Sequence, residues 1–185
     1  HSVRTLKQCA ELADSDITIA TNLMESRTIC GDPSLTEEMQ KVTGPEHIWD
    51  AKAFFMAKWT EQIARYDKFS NTEFNLEPDI KGAPGGLRDI QNIGWVAKRY
   101  FNANRMSELV SHGFLTSDEY DILNSGHLFL WEVRYALHLI TGRGENRLLF
   151  DHQRAVADML GYRDSKATLA VEKFMKRYYR VALSI

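Results

Sequence analysis

Residues 75–101 read NLEPDIKGAPGGLRDIQNIGWVAKRYF, and this stretch joins a glycine-rich turn to an amphipathic helix. The turn contains residues that cannot continue a helix, namely Gly82, Pro84, Gly85 and Gly86. After the turn, apolar residues recur at helical intervals, at Ile90, Ile93, Ala97 and Tyr100. This spacing predicts a helix from Arg88 to Phe101 with one apolar face.

The same stretch carries a candidate ligand site. A glycine turn that leads into a helix leaves backbone N–H groups unpaired, and such groups can hold an anion such as a phosphate. Charged side chains crowd the turn, at Glu77, Asp79, Lys81, Arg88 and Asp89. This combination suits a nucleotide or metal–nucleotide site. The alternative is an ordinary helix start, in which Asp89 complements the helix dipole and the glycines only turn the chain.

The rest of the chain predicts helices and almost no strands. The predicted helices are Val3–Ala13, Ile17–Cys30, Leu35–Val42, Pro45–Tyr66, Met106–His112, a long helix from Thr116 to Thr141, 151–160 and Lys166–Ile185. Asp16 is a predicted N-cap, and Thr116 with Glu119 forms a predicted capping box. In the helix from Pro45, we expect an apolar stripe of Ile48, Phe55, Trp59, Ile63 and Tyr66.

These patterns predict an all-α fold, with the longer helices forming an antiparallel bundle. We divide the chain into a helical leader at 1–32 and a helical bundle domain at 33–185. Residues 67–86 form a long predicted loop, and loops of this length in compact domains are often functional.

Composition limits the possible classes of protein. The chain has 185 residues, enough for one core, and its net charge of -2 gives no electrostatic footprint for nucleic acid. No apolar run reaches membrane-spanning length. Cys9 and Cys30 lack metal-binding spacing, and we expect free thiols in a reducing compartment. We therefore expect a cytoplasmic protein that uses neither a membrane nor nucleic acid as a partner.

Several motifs resemble one known family. They are LEPDIKGAPGGLRDIQ at 76–91, ELVSHGFLTSDEY at 108–120, FLWEVRYALHLITGR at 129–143, NRLLFDHQ at 146–153, VEKFMKRYYR at 171–180 and the initial HSVRTLKQC. Together they resemble bacterial PII uridylyltransferase/uridylyl-removing enzymes over nearly the whole chain. The related glutamine synthetase adenylyltransferases carry a similar Gly-Gly-x-x-Asp-Ile-Glu. Gln91 stands at the last position here, which favours the uridylyltransferase branch.

The resemblance implies a fold and a function. The fold is the helical domain of the nucleotidyltransferase substrate-binding type, which packs beside a nucleotidyltransferase palm. The full enzyme is expected to transfer UMP from UTP to a tyrosine of the PII signalling protein with Mg²⁺, and so to regulate nitrogen assimilation. A separate His-Asp hydrolase domain is expected to remove UMP. Implied partners are therefore UTP, PII, the palm and the hydrolase domain.

The catalytic carboxylates of such enzymes are not recognisable in this sequence. The family's paired Asp-x-Asp follows a glycine-rich turn, whereas Asp14 and Asp16 have the spacing without that turn. Asp151-His152 reverses the order of a His-Asp motif and lacks a partner histidine at helical spacing. We therefore expect no catalytic or metal-ligating residue in this chain, Mg²⁺ bound by other parts of the full enzyme, and no activity of the isolated chain.

The resemblance also implies roles for the residues of the turn. Lys81 and Arg88 are expected near the triphosphate, oriented by Glu77 and Asp89. Gln91 is expected to bond the base or the loop backbone. Candidate backbone contacts are Gly82, Gly85 and Gly86. The alternative is a non-catalytic helical module that docks a neighbouring domain or PII, with a purely structural glycine motif.

Overall fold

The chain is all-α in the computed structural model, which describes residues 3–103 and 105–185. Over these residues it forms nine helices and no strand, so the predicted fold class is confirmed. The helices are α1 Leu6–Ser15, α2 Ile17–Met24, α3 Ser34–Val42, α4 Ala51–Asp67, α5 Leu87–Phe101, α6 Glu108–Ser111, α7 Ser117–Thr141, α8 Phe150–Met159 and α9 Ala170–Ser184. In the described part of the chain, no helix is long and apolar enough to span a membrane.

The described residues divide into two compact units. The first contains residues 3–61 and 94–103, and the second contains Gln62–Ile93 and Arg105–Ile185. The predicted division into a leader at 1–32 and a bundle at 33–185 stays a prediction. The first two residues of the predicted leader, His1 and Ser2, lie outside the described part of the chain.

In the first unit, α1 packs against α2 and α3 around a small core of Ala13, Ala20 and Ile48. The buried Arg99 stabilises this unit by donating to the backbone carbonyls of Thr43, Ile48 and Trp49. Burial lowers the pKa of its guanidinium. The guanidinium stays protonated, so it can donate to all three carbonyl oxygens. Arg99 therefore satisfies backbone acceptors that would otherwise lie buried without a donor.

The second unit has the larger core, in which α7, α8 and α9 pack against one another. From α7 come three buried leucines that lie seven residues apart, Leu123, Leu130 and Leu137. Phe174 and Tyr178 cover them from α9, and Ile80 joins this core from the loop before α5. The turn that carries the candidate site is therefore anchored in the core.

Local hydrogen bonds explain where several helices begin and end. Thr116 and Glu119 form the predicted capping box of α7, and Gly142 ends that helix with φ +65°. Asp16 caps α2 as predicted. The predicted helix from Pro45 instead begins at Ala51, because the Asp50 carboxylate accepts the N–H groups of residues 52 and 53.

Three other sequence predictions about helices are wrong. The helix predicted for Ile17–Cys30 ends at Met24. Of the apolar stripe expected in the helix from Pro45, Ile48 is buried and Tyr66 partly buried, but Phe55, Trp59 and Ile63 are exposed. The α5 stripe is buried at Ile90 and Ala97 but exposed at Tyr100. The period identifies residues that share a face, but it does not tell which face other elements cover.

Candidate functional site

The turn before α5 is closed by its own hydrogen bonds. Asp79 Oδ1 accepts the N–H groups of Lys81 at 3.0 Å and Gly82 at 2.6 Å, and the Asp79 carbonyl accepts the Ala83 N–H. The Arg88 N–H donates to the Lys81 carbonyl at 2.8 Å. The remaining N–H groups of this turn also have internal acceptors, and they belong to Gly85, Gly86, Leu87 and Asp89. The backbone therefore has no spare donor here for an anion.

Close packing requires glycine at positions 85 and 86 of the motif and leaves little room at position 82. Gly85 has φ +70°, and a Cβ atom built on it would lie 2.1 Å from the carbonyl oxygen of Ala182 in α9. A Cβ on Gly86 would lie 2.8 Å from the Ala83 carbonyl oxygen. At Gly82 a Cβ would meet the ring of Phe69 at 3.2 Å. Contact between these glycines and a nucleotide stays a prediction, but their packing alone accounts for the absence of side chains.

Asp89 is the centre of a buried polar network. Its Oδ2 accepts the Gly85 N–H at 2.8 Å and the Tyr66 hydroxyl at 2.7 Å, and its Oδ1 forms an ion pair with Arg65. Arg65 also donates to the Gly82 carbonyl at 2.6 Å. The network thus joins the end of α4 to both sides of the glycine turn. Burial, and then the hydrogen bond and charge of Asp89, raise the pKa of Tyr66 to about 12.

Glu77 bonds to a segment far away in the sequence. Its carboxylate accepts the Phe150 N–H at 3.0 Å, at the start of α8, and lies 3.4 Å from Arg147 Nη2. It was expected to orient Lys81 and Arg88, as was Asp89. Glu77 thus holds the start of α8, and Asp89 holds Arg65 and the turn. Their expected role in orienting Lys81 and Arg88 stays a prediction.

Lys81 and Arg88 remain the cations of the predicted site. Both are partly buried, and their backbones are directly hydrogen-bonded to each other. Burial lowers the pKa of the Lys81 ammonium, the positive charges of Arg88 and Arg134 lower it further, and Asp79 raises it. Like charges therefore lie close together at this point. Gln91 Oε1 is buried and accepts no hydrogen bond from the described residues.

Three contributors to this region were missed in the sequence. Arg65 binds Asp89 and the turn, Arg134 of α7 lies near Lys81, and Asn146 Oδ1 accepts from Arg134 Nε at 2.9 Å. Each of them lies at least 12 residues from its partner, and no local motif marks the pairing. In residues 3–103 and 105–185, no group of three His, Cys, Asp or Glu side chains converges to hold a metal ion.

Comparison with known proteins identifies the family. The family model described as GlnD PII-uridylyltransferase matches residues 53–185. The chain belongs to this family. The bifunctional uridylyltransferase/uridylyl-removing enzymes of Azotobacter vinelandii strain DJ and Pseudomonas aeruginosa strain LESB58 are each 54% identical to it over 185 residues. The enzyme of the same name from Pseudomonas putida strain GB-1 is 53% identical over the same length.

These matches cover 100% of this chain but only 21% of each relative's length. The chain therefore corresponds to a part of a longer enzyme in each of these relatives. The names of the relatives agree with the uridylyltransferase branch that Gln91 favours over the adenylyltransferases. No solved structure gives a significant match.

Proposed function

We propose that this chain is the helical part of the uridylyltransferase region of a cytoplasmic enzyme. That enzyme transfers UMP from UTP to the PII signalling protein and removes it by hydrolysis, which regulates nitrogen assimilation. The observation that carries the proposal is the 54% identity, over the whole chain, to proteins named bifunctional uridylyltransferase/uridylyl-removing enzyme. The palm and the hydrolase domain of the full enzyme are the neighbours that this proposal implies.

The proposed contribution of this chain to transfer is charge neutralisation. Phosphoryl-type transfer depends mainly on positioning and on cations that compensate charge on the phosphate oxygens. Lys81 on the turn and Arg88 at the start of α5 are joined by a backbone hydrogen bond, and the turn is fixed to the core through Ile80. Cations held in a rigid position stabilise the reacting phosphate more effectively, because the side chains do not have to reorganise during the reaction. In this proposal they contact the triphosphate of UTP.

The resemblance implies Mg²⁺ for the full enzyme. The described residues contain no converging set of metal-ligating side chains, and Asp89, the buried carboxylate of the motif, is already bound by Arg65 and Tyr66. In our proposal, as in the sequence analysis, other parts of the full enzyme hold Mg²⁺.

Substitution of Arg88 in the full-length enzyme tests the proposal. Arg88→Ala should lower UMP transfer about 10- to 100-fold, because a hydrogen bond to a charged group contributes about 1.5–3 kcal/mol. Removal of UMP should change much less, and the melting temperature should stay close to that of the wild type. Arg143→Ala is a matched control, since Arg143 is an exposed arginine paired with Glu145. Normal transfer by Arg88→Ala would exclude a phosphate contact for Arg88.

A docking function within the full enzyme is a second proposal. On α7, one face carries large apolar side chains that are more than half exposed, namely Leu128, Trp131, Tyr135 and Leu139. Contiguous apolar surface of this kind marks interaction sites. The proposed occupant is another part of the same enzyme, since most of each relative's length lies outside the matched region. Tyr135→Glu should then destabilise the full-length enzyme more than Glu132→Ala, and equal melting temperatures would oppose docking at this face.

A further inference from the structure

Two loops far apart in the sequence meet beside the glycine turn. The Ile80 N–H donates to the Asn146 carbonyl at 2.9 Å, and the Leu148 N–H donates to the Pro78 carbonyl at 2.9 Å. Ile80 and Leu148 are fully buried. This pairing places Lys81, the next residue of the turn, beside the segment that follows α7.

Arg134 is held at this junction by only part of its guanidinium. Its Nε donates to Asn146 Oδ1 at 2.9 Å. Its two terminal nitrogens donate to none of the described side chains or carbonyls, and Arg134 forms no ion pair with a described carboxylate. An arginine has five N–H donors in a fork that matches phosphate and carboxylate oxygens. Four of these donors therefore remain available, on a side chain whose orientation is fixed by Asn146.

Lys81 is in a similar situation. The carboxylate nearest in sequence, Asp79, is occupied by two backbone N–H groups of the turn. The Lys81 ammonium forms neither a hydrogen bond nor an ion pair with another described residue. Three arginines of the same unit differ from it in this respect, because Arg65, Arg143 and Arg147 each pair with a carboxylate.

The two cations also act on each other. Burial and then the charges of Arg88 and Arg134 lower the pKa of Lys81, whereas Asp79 raises it. Adjacent like charges raise the free energy of the folded protein unless a carboxylate or a ligand supplies the opposite charge, and Asp79 Oδ1 already accepts two backbone N–H groups. A phosphate group is the ligand chemistry that fits, since it accepts from a guanidinium fork and from an ammonium at once.

We propose that Lys81 and Arg134 together bind a phosphate group of a nucleoside triphosphate, and that Asn146 positions Arg134 for this contact. The site is made of side chains from the loop before α5 and from α7. It uses no backbone N–H of the glycine turn, because those groups are already paired. The identity of the anion as the triphosphate of UTP rests on the proposed function, whereas the site itself rests on the contacts of Lys81, Arg134 and Asn146.

Binding measurements on the full-length enzyme test the site. Inorganic tripolyphosphate, UTP and uridine serve as probes in calorimetric titrations of the wild type, Lys81→Met, Arg134→Ala and the control Arg143→Ala. We expect the Lys81 and Arg134 variants to bind tripolyphosphate and UTP about 10- to 100-fold more weakly. Binding of uridine should not change in any variant. Wild-type affinity of Arg134→Ala for tripolyphosphate, or failure of the wild type to bind it, would overturn the site.

Stability distinguishes a binding role from a structural one. Lys81→Met keeps the length of the side chain and removes one of the adjacent positive charges, so the melting temperature without ligand should stay equal or rise. If Lys81→Met instead lowers the melting temperature, so that partial unfolding explains its weaker binding, the proposal is contradicted.

A double-mutant cycle tests the positioning role of Asn146. Asn146→Ala should weaken tripolyphosphate binding in the presence of Arg134, and should have no further effect in Arg134→Ala. Independent, additive effects would show that Asn146 does not act through Arg134. One result would contradict the proposed function but not the phosphate site. In that result the wild-type enzyme binds tripolyphosphate but does not transfer UMP to PII.

Discussion

The backbone of Gly85 lies against the backbone of Ala182 so closely that a Cβ atom on residue 85 would stand 2.1 Å from the Ala182 carbonyl oxygen. Both residues are buried, and Ala182 belongs to the last helix of the chain. The glycine turn is therefore a packing contact between the start of α5 and α9. Its N–H group is bound by Asp89, so the same residue is fixed from two sides.

Substitution of Gly85 should destabilise the chain strongly. Gly85→Ala adds the cost of φ +70° for a residue with a Cβ, about 1–2 kcal/mol, and the cost of overpacking against Ala182, about 1–3 kcal/mol more. Gly113→Ala is a matched control, because Gly113 has φ +67° and no atom within 4 Å of an added Cβ. Urea unfolding measures both values. Equal losses for the two variants would contradict the close contact with α9.

Removal of the Asp89 carboxylate should cost about 3–5 kcal/mol of unfolding free energy, because Arg65 would remain as a buried charge without its partner. Asp67→Ala is the control, since Asp67 is exposed and accepts only from Asn71. The control should change the unfolding free energy by less than about 0.5 kcal/mol. Similar values for both aspartates would show that the network around Asp89 does not stabilise the fold.

Alkaline pH should destabilise the second unit through its buried tyrosines. Burial, followed by the effect of Asp89, raises the pKa of Tyr66 to about 12, and burial also raises the pKa of Tyr178. The unfolded chain releases these protons near the ordinary tyrosine pKa of about 10. Between pH 10 and pH 12 the folded state thus holds more protons, and the stabilisation that is complete below pH 10 is lost as pH rises.

Unfolding free energy measured from pH 9 to pH 12 should fall, and the slope should be smaller in Tyr66→Phe and Tyr178→Phe. A slope that both phenylalanine variants leave unchanged would assign the alkaline loss to other groups.

Loss of the capping box of α7 should lower the unfolding free energy less than the substitutions at Gly85 and Asp89. Thr116→Ala removes the acceptor for the Glu119 N–H and should lower the unfolding free energy by about 0.5–2 kcal/mol. Ser117→Ala, one residue later and exposed, makes a suitable comparison and should change stability by less than about 0.5 kcal/mol. If Ser117→Ala costs as much as Thr116→Ala, the cap does not explain where α7 begins.

The helix α7 shows what could be predicted from the sequence. Its start, its end and its buried leucines depend on signals within a few residues, such as the Thr116 cap, Gly142 and the seven-residue spacing. In α4, by contrast, the apolar residues Phe55 and Trp59 are exposed. A helical period does not reveal which face is covered, and in this helix the neighbouring Lys58 is buried instead.

The candidate site was predictable only in part. The turn, its glycines and the cations Lys81 and Arg88 are visible in one short stretch. Arg134 lies more than 50 residues beyond Lys81, and the pairing of 78–80 with 146–148 that brings it close follows no regular pattern. The partner of Asp89 was likewise unpredictable, because Arg65 looks like any other surface cation of a helix.

The ratio of UMP transfer to UMP removal in the full-length enzyme distinguishes a packing role of the glycine turn from phosphate contact by the side-chain cations. We predict that Gly85→Ala lowers the melting temperature and both activities together, which leaves the ratio unchanged, whereas Lys81→Met keeps the melting temperature and lowers the ratio at least about tenfold. A Gly85→Ala enzyme with wild-type melting temperature and a selective loss of transfer would contradict the account.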